Sequence, residues 1–189
     1  TAQEIAKTHY DAIVAPGYRK EALELLGRKE GLRLVKIAPY RPSSSESHLD
    51  FRRVRGGLLA QTPDTLTKPE LKPHVVTKRR PGAAELSDLL FAWKVAKHVR
   101  SNAIVLAKGR ATVGIGAGQM SRVDSVKIAR MKAYRDTKGC VAASDAFFPF
   151  PDGVEELAAG GVTAVIQPGG SIRDPEVIAA ADKLKLSMV

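Results

Sequence analysis

The apolar residues of this chain keep changing their period. Blocks at spacing two, or unbroken, give way to runs at spacing three and four, and then return, from one end of the sequence to the other. Such a chain buries its apolar residues by laying helices against a sheet, so the expected fold class is α/β and layered. Ala2, Ile5, Ala6 and His9 make a short helical face, and Asp11–Ala15 reads as a buried strand stopped by Pro16-Gly17. Glu21–Arg28 reads as a helix with Ala22, Leu25 and Leu26 inward, and Leu32–Ala38 as a second strand. Tyr40–Asp50, with its Ser43-Ser-Ser45 run, reads as a loop, and Phe51–Gln61 as an extended segment interrupted at Gly56-Gly57.

From Thr62 to Ala83 the periodicity vanishes. Pro63, Pro69, Pro73 and Pro81 punctuate a charged stretch that reads as a linker or a crossing between lobes. A helix is predicted over Glu85–Val99 with Leu86, Leu89, Leu90 and Trp93 on one face. Strands follow at Ala103–Ala107 and, after a Lys108-Gly109 turn, through Val113, where Gly114-Ile-Gly-Ala-Gly118 ends the second strand and leads to a helix over Val123–Tyr134. The last third alternates again: strand Val141–Ala143, helix Gly153–Ala159, strand Val162–Gln167, helix Asp174–Leu184, and an apolar strand begun at Leu186–Val189, which suggests a truncated product. No repeat at a solenoid period is found.

Composition narrows the function classes. The net charge of the 189 residues is +10, and between Lys68 and Lys138 there are 16 Lys+Arg against five Asp+Glu, so the basic character belongs to the middle of the chain. That asks for an anionic partner: nucleic acid, a phosphorylated metabolite or a polyanionic cofactor. No apolar run approaches the roughly 20 residues of a membrane helix. The opening residues do not read as a signal peptide, and the single cysteine, Cys140, excludes an intrachain disulfide or a multi-cysteine metal site. The cytoplasm is the expected compartment, with no membrane partner.

Three constellations could carry chemistry. Gly114–Gly118, followed by Arg122 at a helix start, could offer backbone amides and a guanidinium to an anion. Its spacing is neither a dinucleotide fingerprint nor a P-loop, and a tight turn without a ligand is the alternative. Ser144–Asp152 holds three phenylalanines and two prolines between carboxylates. It could wall a pocket for a flat heterocycle, or it could be a buried loop plugging the sheet. Pro168-Gly-Gly-Ser171 again stands between strand and helix, where its amides and hydroxyl could hold a phosphate, or Ser171 or Asp174 could simply cap the helix. Lys97-His98 sits at a helix end where cations suit the dipole. The zinc deaminase signature is absent. A basic nucleic-acid-binding module would interleave aromatics with Lys/Arg, yet the phenylalanines cluster among acids; that module and a non-catalytic scaffold fragment are the alternative classes.

Taken together, Asp11–Tyr18, Phe51–Leu59, Ser101–Val105, Gly114–Arg122, Ser144–Asp152 and Ile166–Asp174 resemble, in order and over essentially the whole chain, the bifunctional purine biosynthesis family. In that family phosphoribosylaminoimidazolecarboxamide formyltransferase is joined to inosine monophosphate cyclohydrolase, and the resemblance is to the C-terminal part of the formyltransferase region. It implies a cytidine deaminase-like α/β/α fold in two similar lobes. Residues 1–66 would end the first lobe, 67–83 cross between lobes, and 84–189 form most of the second. It implies transfer of a formyl group from 10-formyltetrahydrofolate to the 5-amine of aminoimidazole carboxamide ribonucleotide, in a homodimer with its active sites at the interface, and no nucleic acid.

The resemblance also implies roles. Asn102 would orient the substrate carboxamide, and Arg122, Phe147, Asp152, Gly170 and Ser171 would bind the nucleotide. Val14, Ala15, Pro16 and Gly17, with Pro149 and Phe150, would meet the folate, and Asp145 would stand near a monovalent cation, K+. Some features depart from the family. Its catalytic Lys-His pair precedes the matched segment and Lys97-His98 is not that pair, its cyclohydrolase domain is not represented, and position 151 is proline where some members carry arginine. The expectation is therefore a chain that binds and orients ligands rather than turning over alone.

Overall fold

A computed structural model describes residues 1–38, 49–64 and 73–189. Most of the expected Tyr40–Asp50 loop, and positions 65–72 of the proline-punctuated stretch, lie outside the described residues. The chain divides into two compact units, Thr1–Thr65 and Leu66–Val189.

In the first unit, helix α1 (Ala2–Ala6) precedes β1 (Ala12–Ala15), α2 (Lys20–Leu26) and β2 (Arg33–Lys36). Strands β1 and β2 are parallel, from Ala12 opposite Arg33 to Ala15 opposite Lys36. The Tyr18 hydroxyl ties the loop after β1 back to the Ile13 carbonyl at 2.7 Å. β3 (Asp50–Val54) and β4 (Gly57–Gln61) form an antiparallel hairpin in which Phe51 faces Ala60. Its turn needs Gly56, whose φ of 85° is left-handed.

The second unit holds nearly all of the deeply buried residues. Its elements are α3 (Ala83–Ala96), β5 (Ile104–Ala107), β6 (Thr112–Gly116), α4 (Arg122–Met131), β7 (Val141–Ser144), α5 (Asp152–Ala159), β8 (Ala164–Ile166), α6 (Asp174–Lys183) and β9 (Ser187–Met188). The sheet runs β6-β5-β7-β8-β9. β5 is antiparallel to both neighbours, while β7, β8 and β9 are mutually parallel. Period-two patterning explains the layers. Ile104, Leu106 and Ala142 pack with α4, α5 and α6 through Val126, Leu157 and Val177. Val105, Ala107, Val141 and Ala143 turn to the other face, onto α3. The layered α/β reading is borne out.

Three local expectations change. α3 buries Leu89, Ala92 and Ala96, with Leu86, Leu90 and Trp93 only half-buried beside them. The small alanines let the helix lie close over the sheet, and the bulky side chains fall to its flanks. Second, the strand runs on into the glycines: Gly114 and Gly116, its last residue, both lie in β6, paired with Leu106 and Ile104. A Cβ on Gly114 would stand 2.0 Å from the Ala129 carbonyl oxygen, and one on Gly116 1.9 Å from that of Ser125. These glycines are where α4 sits down on the strand. Third, part of the presumed linker is strapped along β9. The Val76 amide donates to the Met188 carbonyl at 3.0 Å, Met188 N donates to Thr77 Oγ1 at 2.8 Å, and Arg79 bonds Ser187 Oγ and Glu85 at 2.9 and 2.7 Å. The strap covers what would otherwise be an open sheet edge.

Candidate active site

Antiparallel pairing decides what meets what. Ile104 at the start of β5 lies opposite Ser144 at the end of β7. The residues just before β5 and just after β7 therefore converge at one end of the sheet. α4 begins at the same end, its N-terminus capped by Ser121, which accepts from the Asp124 amide at 3.2 Å.

At that convergence Arg122 is buried, 7% exposed. Its Nη1 donates to Ser144 Oγ at 2.8 Å and Asp145 Oδ1 at 2.6 Å, and its Nη2 to Asn102 Oδ1 at 2.7 Å. Asn102 Nδ2 donates to the Gln119 carbonyl at 2.8 Å, and Ser125 Oγ donates to the Asn102 carbonyl at 2.8 Å. The amide of Asn102 is thus held in one orientation from both ends. Asp145 also accepts from the Ala103 amide at 2.9 Å and from the Ser101 hydroxyl. Burial alone would raise the Asp145 pKa. The bonds from Ser101, Arg122 and Ala103, and the Arg122 charge, outweigh it and hold the carboxyl below its usual range.

Above this polar floor opens a cleft of about 490 Å³ lined by Asn102, Arg122, Phe147, Pro149, Phe150 and Asp152, among others. The phenylalanine loop is both wall and plug. Phe147 and Phe150 are 40% and 47% exposed, whereas Phe148 is fully buried. Phe148 packs so closely on Gly153 that a Cβ there would be 2.7 Å from its ring, and its amide donates to Gln167 Oε1 at 2.8 Å. Asp152, the first residue of α5, accepts from the Gly153 amide at 2.7 Å.

Six of the residues singled out from the sequence, Asn102, Arg122, Phe147, Pro149, Phe150 and Asp152, therefore share one cleft. Residues 1–132 match the family described as AICARFT/IMPCHase bienzyme. The chain belongs to that family. It is 51% identical to the bifunctional purine biosynthesis protein PurH of Magnetococcus marinus, 53% to that of Paracoccus denitrificans and 50% to that of Bacillus thuringiensis. Each similarity covers all of this chain but only 37% of the relative, so the chain spans well under half the length of these bienzyme relatives.

The other expected site residues of the chain lie elsewhere. Gly170 and Ser171 do not line the cleft. The Gly170 amide donates to Asp174 Oδ2 at 2.7 Å and the Ser171 hydroxyl accepts from the Arg173 amide at 3.1 Å, so the turn spends these groups on itself. Gly170 lines a neighbouring recess of about 450 Å³ with Trp93, Gln167 and Asp174. Ala15 and Gly17 line a recess of about 820 Å³ within the first unit, and Val14 and Pro16 are exposed there. Lys97 and His98 follow α3 and line none of this cleft.

Asp145 does not fit the monovalent cation expected beside it. Its two oxygens accept from Ser101, Arg122 and Ala103, and the nearest charge is a guanidinium. Among the described residues no group of three or more His, Cys, Asp or Glu could hold a metal ion, and no helix is long and apolar enough to cross a membrane. Sequence reasoning passed over Ser101, Ser144 and Gln119 as partners of the floor. The only signal was their adjacency to residues already singled out.

Proposed function

We propose that the chain supplies substrate-binding surface to a folate-dependent formyltransferase of de novo purine (IMP) synthesis. The formyl group passes from 10-formyltetrahydrofolate to the 5-amine of aminoimidazole carboxamide ribonucleotide. The observation that carries the reading is the pinned Asn102 amide on the floor of a phenylalanine-walled cleft, in a chain of the bienzyme family.

The acceptor amine is a poor nucleophile because its lone pair is delocalised into the imidazole. The reaction therefore depends on holding amine and formyl carbon together, on taking the amine proton, and on stabilising the tetrahedral oxyanion. With its oxygen committed to Arg122 and one N–H to Gln119, Asn102 keeps its second N–H for the substrate carboxamide, which lies next to the reacting amine. Phe147 supplies a half-exposed ring face for the imidazole, and Asp152 accepts from ribose hydroxyls. Pro149 and Phe150 present an apolar wall that suits a pterin or benzoyl ring, and the site is completed in a cytoplasmic homodimer. The proton-transfer pair is not supplied by these residues, so this chain alone binds and orients.

Calorimetry with aminoimidazole carboxamide ribonucleotide tests the reading. Binding is expected, with about tenfold weaker affinity in Phe147→Ala and Asn102→Ala, the loss of one stack or one hydrogen bond to a bound group. No binding by the full-length natural protein sinks it. Formyl transfer by the 189-residue chain at full-length rates would overturn the claim that it only binds and orients.

A further inference from the structure

Arg122 lines this cleft and Arg173 lies against the ring of Phe150 in its wall, and their surroundings set the two arginines apart. Arg122 is buried, and its guanidinium is committed to Ser144, Asp145 and Asn102, with its charge answered by Asp145. A ligand anion that reached it would have to displace the paired, part-buried carboxylate of Asp145. Arg173 is in the opposite condition. Its side chain is about half exposed, and its guanidinium carbon lies 4.8 Å from the centre of the Phe150 ring, whose atoms line the cleft. Among the described residues its one ionic contact is with Glu176, a helical neighbour at 3.9 Å with both side chains exposed. Such a pair contributes little and yields readily.

We infer that Arg173 is the residue that receives the anionic group of a ligand bound in this cleft, with Phe150 as the shelf that holds its guanidinium at the mouth. The stack keeps a flexible cation near one place without neutralising it. An oxyanion can then take the planar fork in two parallel hydrogen bonds. Asp152 lies on the cleft wall, Asp145 behind the floor is already paired, and Arg173 is the half-exposed guanidinium stacked on the wall. The glycine turn before it sets the position: Gly169 and Gly170 are left-handed, with φ of 67° and 97°, and Ser171 Oγ holds the Arg173 amide. The anion is a phosphate or a carboxylate. The inference rests on the formyltransferase reading for the identity of the ligands that bring one.

The test uses the full-length natural protein and Arg173→Gln, with calorimetry against two matched pairs. One pair is aminoimidazole carboxamide ribonucleotide and its phosphate-free ribonucleoside; the other is 10-formyltetrahydrofolate and an analogue without the glutamate. Arg173→Gln is expected to weaken one anion-bearing ligand about tenfold and leave its anion-free counterpart unchanged. The affected pair tells phosphate from carboxylate. Arg173→Lys is expected to recover only part of the loss, because it keeps the charge and loses the fork. The inference is overturned if both pairs are unmoved, or if each ligand and its counterpart weaken together. If the parent protein binds neither ligand, the formyltransferase reading fails by itself. Titration with inorganic phosphate and with glutarate, followed through the Arg173 Nε resonance, then decides the inference alone: a saturating shift with either upholds it and no shift with both ends it.

Discussion

A methyl group placed on Gly116 has no room. Its carbon would stand 1.9 Å from the Ser125 carbonyl oxygen, 2.7 Å from the carbonyl carbon and 2.9 Å from the Cα, all helix backbone that cannot rotate aside. Ordinary contact begins near 3.4 Å, so α4 must retreat by about 1.5 Å from β6. The retreat loosens the contacts of Val126 and Ala129 with the sheet and pulls on the bond from Ser125 Oγ to Asn102. Overpacking by one methyl costs about 1–3 kcal/mol where side chains can adjust; against backbone, Gly116→Ala is expected at about 3 kcal/mol or more. For a unit of this size that lowers the Tm by about 10 °C. Urea and thermal unfolding followed by circular dichroism read the loss. Gly82→Ala, where the nearest atom to the new Cβ is the Glu85 carboxylate at 3.8 Å, should change stability by no more than about 1 kcal/mol. If Gly116→Ala unfolds within about 0.5 kcal/mol of the parent, α4 is not seated on the strand backbone.

Asp145→Asn leaves the buried Arg122 charge unanswered and is expected to cost about 3–5 kcal/mol, much of it recovered when Arg122→Met is added, as measured by urea midpoints. Stability should also depend on acid. Burial would raise the Glu85 pKa, but bonds from Thr163, Arg79 and the Gly82 amide hold it low, as Asp145 is held low. Below the unfolded pKa values of about 4 the unfolded chain binds protons that the native state refuses. Stability contributed by both groups is therefore complete above that range and lost as pH falls through the lowered native values. A Glu85→Gln/Asp145→Asn double variant should flatten the fall in urea midpoint between about pH 4.5 and 3; an unchanged slope refutes the assignment. Two adjacent phenylalanines should separate cleanly: Phe148→Ala, fully buried, costs about 3–5 kcal/mol, while Phe147→Ala, 40% exposed, costs under about 1 kcal/mol and acts on ribonucleotide affinity instead.

Much of the second unit is legible from residue pattern. Its strands read as apolar blocks because both faces are covered: Ile104–Ala107 is buried at every position, which a block of Ile, Val, Leu and Ala announces. Helices α4 and α6 read from their 3.6-residue spacing. The cleft was legible residue by residue, since Asn102, Arg122 and Phe147 stand in motifs that travel together. Their mutual roles were not. Nothing in the spacing says that Arg122 turns inward to Asp145 while Arg173 turns outward onto Phe150, because that choice depends on which strand ends antiparallel pairing brings together.

The amino-acid order by itself determined the alternation of strands and helices, the family, and the motifs from which the cleft residues come, because period and motif are local properties of a chain. Tertiary structure alone decided what the glycines of β6 are for, that residues 76–79 cover a sheet edge, and that one arginine is spent on the floor while another remains available. Each of these turns on how closely two backbones approach or which carboxylate lies within reach. Such distances are set between segments remote in sequence, where residue type constrains the outcome without choosing it.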